Sequence, residues 1–124
     1  MAYGTTAVDV IQSSTTGTPV QFQDGSGTQI GTLCRAWANF GYVSSAITVR
    51  ASFNVSSITR SGTGTYVVNF TNSMPDANYS VVACTTAYVI GVNSTATSSV
   101  TLLNFNSTNT NNVDSTLATV SVFR

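Results

Sequence analysis

Asp9, Asp24, Asp76 and Asp114 are the only side-chain carboxylates in this 124-residue chain, which contains no histidine, lysine or glutamate. General acid–base catalysis uses groups that titrate near neutrality, or carboxylates held as a pair. The four aspartates lie in separate segments, so a glycosidase-like pair requires the fold to bring two of them together. The abundant serines and threonines have no histidine or lysine to activate them as nucleophiles. Cys34 adjoins Arg35, which could lower a thiol pKa, but strand alternation sends the two side chains to opposite faces. The residues therefore predict a protein that is not an enzyme.

Other chemistries are equally thinly represented. CRAWANF holds no CxxC pair, which excludes a zinc site of ordinary spacing. Asp24 or Asp114 with neighbouring amides could offer oxygens to calcium, but the spacing of a calcium loop is absent. GSGTQIG (25–31) and GTG (62–64) neither match a phosphate loop nor open a helix, so these glycines read as turn residues. No metal and no cofactor is expected. N-x-Ser/Thr sequons begin at Asn54, Asn69, Asn78, Asn93 and Asn106, a number that a chain so rich in Asn, Ser and Thr produces by chance.

What remains is binding. Amides and hydroxyls match the hydroxyls of sugars, and aromatic faces stack on sugar rings. The candidates are Tyr42, Tyr88 and Asn93, together with Asn104, Asn106, Asn109, Asn111 and Asn112 of an Asn-rich loop.

Composition limits the partners. Only 6% of residues are charged and the formal net charge is zero, which offers nothing to nucleic acid or an anionic membrane. No apolar run approaches the ~20 residues of a membrane-spanning helix, and the opening MAYGTTAVDVIQSS has neither a basic n-region nor an apolar h-region. Assembly in a cytoplasm is expected, and with it Cys34 and Cys84 as buried free thiols. A hydrophobic content of 42% is too high for a disordered chain. Few charges guard the strand edges, so a homo-oligomer is expected to hide them.

Thr, Val, Tyr and Phe suit pleated surfaces, and the periodicity is that of strands. Ile47, Val49, Ala51, Phe53 and Val55 alternate with polar residues, and Tyr66, Val68 and Phe70 repeat the pattern beyond RSGTG (60–64). Residues 50–70 therefore predict an antiparallel hairpin, with Gly62 and Gly64 supplying positive φ. Further strands are expected over 5–12, 19–23, 30–40, 79–90, 100–105 and 117–123. MPDAN (74–78) forms a turn, and NSTNTNNVDS (106–115) forms an exposed loop. The prediction is one all-β domain over residues 1–124, an antiparallel β-sandwich or jelly-roll-like fold of about eight strands. Its core scaffold is Trp37, Phe53, Val55, Tyr66, Val68 and Phe70, and Arg50 is a polar-face or intersubunit contact.

GTQIGTLCRAWANF, the stretch from VRASFNVSSITRSGTGTYVVNF to MPDANYSVV, and the closing VSVFR carry a resemblance. Over residues 20–84 and 117–124 the chain resembles the carboxy-terminal domain of bacteriophage tail-fibre and tail-tip proteins, particularly those of cyanophages and marine phages. The resemblance implies a β-rich, trimeric virion domain that contacts the host surface, a glycan or a protein, without a shared catalytic motif. Fibre proteins usually carry a long shaft before such a tip. This chain begins with Met, so docking onto another virion protein through Ala2 to Gln12, within residues 1–17, is expected. Residues 88–114 fit the shared pattern poorly, as loops that read a receptor would. Two other roles compete with attachment: assembly as a capsid decoration or head-fibre protein, and depolymerisation of a polysaccharide through Asp24, Asp76 or Asp114.

Overall fold

The computed structural model describes residue 4 and residues 7–15, 20–86, 89–108 and 110–124. It is all-β and antiparallel, as the residue pattern predicts. The chain divides into two compact units, Met1–Leu33 and Cys34–Arg124.

In the first unit the described part of the expected 5–12 strand has no strand conformation. Among its described residues the one sheet is the small hairpin of β1 (Phe22–Gln23) and β2 (Gln29–Gly31). The DGSG turn between them is tied by Asp24. Its Oδ1 accepts hydrogen bonds from the Ser26 and Thr28 amides at 2.9 and 3.0 Å and from Ser26 Oγ at 2.6 Å. These bonds, led by that from the Ser26 side chain, hold the Asp24 carboxyl below its usual range. The carboxylate is therefore occupied with its own turn.

The second unit is an eight-stranded sandwich. One sheet has the order β4 (Ala46–Phe53), β3 (Cys34–Val43), β10 (Ala118–Phe123), β7 (Ser80–Thr85). The other has the order β5 (Val55–Gly62), β6 (Thr65–Phe70), β9 (Ser99–Phe105), β8 (Val89–Ala96). The core between them is built by alternation: Ala36, Ala38 and Phe40 of β3, Val120 and Val122 of β10, Tyr66, Val68 and Phe70 of β6, and Val100 and Leu102 of β9. Edge-to-face ring pairs, Phe40 with Tyr66 and Phe70 with Tyr79, knit it at centroid distances of 5.4 and 5.9 Å.

Residues 50–70 depart from the predicted single hairpin. The hairpin is β5–β6, turning at Thr63 and Gly64, and only Gly64 takes positive φ, at 63°. β4 belongs to the opposite sheet, where it pairs with β3 through a two-residue turn at Ser44 and Ser45, both at positive φ. No glycine marks that turn, so β3 runs past Phe40 to Val43 where the sequence suggested an end. The chain changes sheets at Asn54, whose φ is 54°. Asn54 Nδ2 donates to the carbonyls of Arg35 and Asn72 at 3.0 and 3.1 Å, and its Oδ1 accepts from the Asn72 amide at 2.7 Å. Asn54→Ala removes all three bonds and leaves a left-handed residue without an amide to support it. The expected loss is about 2 kcal/mol, read as a lower urea midpoint, and Asn54→Asp, which keeps the acceptor, should lose less.

A bulge explains a second departure. Asn39 pairs with Ala51 and Phe40 with Val49, so Arg50 is the extra residue in β4. Directly opposed residues share a face. Ile47 and Val49 therefore lie on the side of Phe40, while Ala51 and Phe53 turn to the outer side, opposite Asn39 and Trp37. Phe53 is 55% exposed and Trp37 38% exposed, so neither is the core anchor expected of it. Val55 is half-buried against the core, and Tyr66, Val68 and Phe70 are buried as predicted. Arg50 lies on the polar outer face, where it donates to Asn39 Oδ1 at 3.4 Å and to the Thr116 carbonyl at 2.7 Å. Both cysteines are free, but Cys34 is half-buried and Cys84 exposed, which corrects the expectation of buried thiols.

Candidate functional site

One end of the sandwich gathers Tyr42, the β5–β6 turn and the segment following β9, where most of the predicted binding residues fall. Asp114 organises it. Arg60 Nε and Nη2 donate to the two oxygens of Asp114, both at 2.9 Å, in a bidentate pair. Asp114 Oδ1 also accepts from the Gly64 amide at 2.9 Å and from the Tyr66 hydroxyl at 3.2 Å. The Tyr66 hydroxyl in turn accepts from the Ser115 amide at 2.9 Å. The Arg60 guanidinium lies over the Tyr42 ring at 4.6 Å, a cation–π contact that fixes the ring.

These contacts set the ionisation of the cluster. The Arg60 guanidinium, above all, holds the Asp114 carboxyl below its usual range, with help from Gly64 and Tyr66. Burial pushes the Tyr66 hydroxyl up to about 12, so it stays protonated and serves as a fixed donor. Asp114 is thus a structural acceptor. Asp76 is another, held below its usual range first by Arg124 and then by the Asn78 amide of the MPDAN turn.

Asn104 is wholly buried and corrects its assignment as a binding residue. Its Nδ2 donates to the Val113 carbonyl at 2.7 Å, its Oδ1 accepts from Thr85 Oγ1 at 3.2 Å, and its amide donates to the Gly64 carbonyl at 2.8 Å. It ties β9, the β5–β6 turn and the following loop together. A polar residue at an inward position of a strand is the one sequence signal that could have given this role.

In the loop at 106–115 Asn106 is half-buried, Ser107, Thr108 and Thr110 to Asn112 are exposed, residues 113 and 114 are half-buried and Ser115 is buried, so its second part is anchored. Within it Asn106 Oδ1 accepts from the Thr110 amide at 2.9 Å and from Thr108 Oγ1 at 3.1 Å, which makes Asn106 a loop-former. Asn112 bridges to Phe105, and Asn111 and Asn112 are exposed. Asn93 is exposed at a bulge in β8, between Val92 and Ser94. Tyr42 is half-buried beneath Arg60. Tyr88 and Asn109 lie outside the described residues.

The site therefore offers the exposed amides of Asn111 and Asn112 beside an ion-paired aspartate. Among the described residues no three His, Cys, Asp or Glu side chains come together as metal ligands, and no helix is long and apolar enough to cross a membrane. Comparisons of the chain with protein-family models, with curated proteins and with solved structures gave no match.

Proposed function

We propose that the chain is a non-catalytic structural protein of a phage virion, placed in the tail or fibre apparatus, whose homotrimer attaches the particle to a host-surface glycan or protein. The observation that carries this reading is the use made of the carboxylates. Asp24 closes a turn, Asp76 pairs with Arg124 and Asp114 pairs with Arg60, so the groups a depolymerase would need serve as internal acceptors. Around Asp114 they brace a loop that presents Asn111 and Asn112 outward. The resemblance of several segments to tail-fibre tips supports the virion placement, and the charge-poor surface supports self-association.

Three copies multiply a weak single-site affinity by linking contacts, without improving any one of them. Residues 1–17 provide the docking segment toward another virion protein. The expected mass by light scattering is three times the 12.9 kDa of one chain, and a monomer at micromolar concentration would contradict the trimer. Antibody labelling of particles should mark the tail. Labelling of the head would instead favour a decoration or head-fibre role.

A further inference from the structure

The outer face of the β4-β3-β10-β7 sheet carries a second set of groups, chemically distinct from the loop end. Phe53 and Trp37 are directly opposed, so their side chains stand on the same face, and both are exposed. The next outward rung places Ala51 opposite Asn39, and the bulge at Arg50 lays its guanidinium against Asn39. Beyond Trp37 and Asn39 the face continues through Ser121 and Thr119 of β10. Two adjacent rings bordered by an amide, hydroxyls and a cation do not make the continuous apolar patch of an obligate protein interface.

Charge selects among ligands. Arg60 and Arg124 are each paired with an aspartate, whereas Arg50 has no carboxylate partner among the described residues. Its described hydrogen bonds go to an amide oxygen and a backbone carbonyl, which orient the group without neutralising it. They use two of its five N–H donors. None of the outward positions just named is a carboxylate, so among the described residues Arg50 meets no anion on this face.

We infer that this sheet face binds an acidic polysaccharide. The apolar face of a pyranose stacks on Trp37 and Phe53, and the carboxylate of a uronic-acid unit pairs with Arg50. This site lies on the sheet face, touches the loop end where Arg50 meets the Thr116 carbonyl, and does not depend on the virion placement.

Trp37 is the only tryptophan in the chain, so its emission reports occupancy directly. The whole chain is titrated with hexasaccharides of galacturonic acid and of mannuronic acid, with a glucose hexasaccharide as the neutral control. A saturable change in emission is expected with at least one acidic ligand, weakening as salt rises. Arg50→Gln should weaken acidic binding roughly tenfold, about 1.4 kcal/mol, toward the level of the neutral sugar. Phe53→Leu keeps apolar bulk but removes a ring and should weaken binding by a similar factor, whereas Phe53→Tyr should titrate like the parent. Thr59→Ala, at an exposed position of β5 in the other sheet, should titrate like the parent. No response to either acidic ligand, equal binding of the neutral control, or an unaltered titration in Arg50→Gln overturns the inference. Binding lost in Asn111→Ala but retained in Phe53→Leu also overturns it, while leaving attachment through the loops intact.

Discussion

Gly41→Ala is expected to cost at least 3 kcal/mol and to lower the melting temperature by roughly 15 °C or more. A Cβ built on Gly41 would sit 2.0 Å from the Thr116 carbonyl oxygen and 2.5 Å from the carbon that bears it. The obstacle is backbone, so no rotamer relieves it. The Thr116 segment is itself fixed: the Tyr42 amide donates to the Ser115 carbonyl at 2.8 Å, and Ser115 Oγ donates to the Leu117 carbonyl at 2.7 Å. Accommodating one methyl therefore means moving the entry to β10, the strand that joins β3 to β7 in the sheet. Gly91→Ala is the control, because a Cβ there meets nothing within 4 Å. Its stability should stay within about 0.5 kcal/mol of the parent. Thermal melts of the two variants side by side separate close backbone approach from any general cost of replacing glycine.

Asp114→Asn is the second large effect, expected to cost about 2–3 kcal/mol at neutral pH. It removes the charge that holds Arg60 and weakens the acceptor serving Gly64 and Tyr66, while nearly preserving shape. The pH dependence follows from the direction of the shift. The Asp114 carboxyl is held lower in the folded chain than in the unfolded one, so its stabilisation is fully present above the unfolded value of about 3.9. That stabilisation is lost as pH falls through the lower folded value. The gap in urea midpoint between parent and Asp114→Asn should therefore be widest near pH 7, narrow below about pH 4, and close once the parent carboxylate is also protonated. A gap independent of pH would assign the loss to shape alone.

The alternation of Tyr66, Val68 and Phe70 named core residues correctly because β6 is an interior strand without a bulge, so period two maps directly onto inside and outside. The same alternation misled at Phe53. Its strand lies at a sheet edge and carries the extra residue Arg50, which reverses the face of everything that follows. Trp37 was misplaced for a related reason: its neighbours Ala36 and Ala38 fill the inward positions of β3, and small residues gave no sign that they, and not the tryptophan, faced the core. The Ser44–Ser45 turn was hidden because serine at positive φ lacks the glycine signature of a tight hairpin.

The candidate end of the sandwich was legible only in outline. Asn and Tyr content located it, but the division of labour within it depends on contacts between residues distant in sequence. Arg60 meets Asp114 across 54 positions, and Tyr66 meets Ser115 across 49. Asn104 and Asn111 look equivalent in a list of amides. One is sealed inside and holds the loop, and the other projects from it.

The central claim is that the chain binds a surface polymer and leaves it uncut. Size-exclusion chromatography with light scattering, on the purified protein mixed with host surface polysaccharide, reads both halves at once. Protein is expected to co-elute with the polymer, and the polymer to keep its original mass distribution after prolonged incubation. Separate elution of the two, or a polymer progressively shortened by the protein, would contradict it.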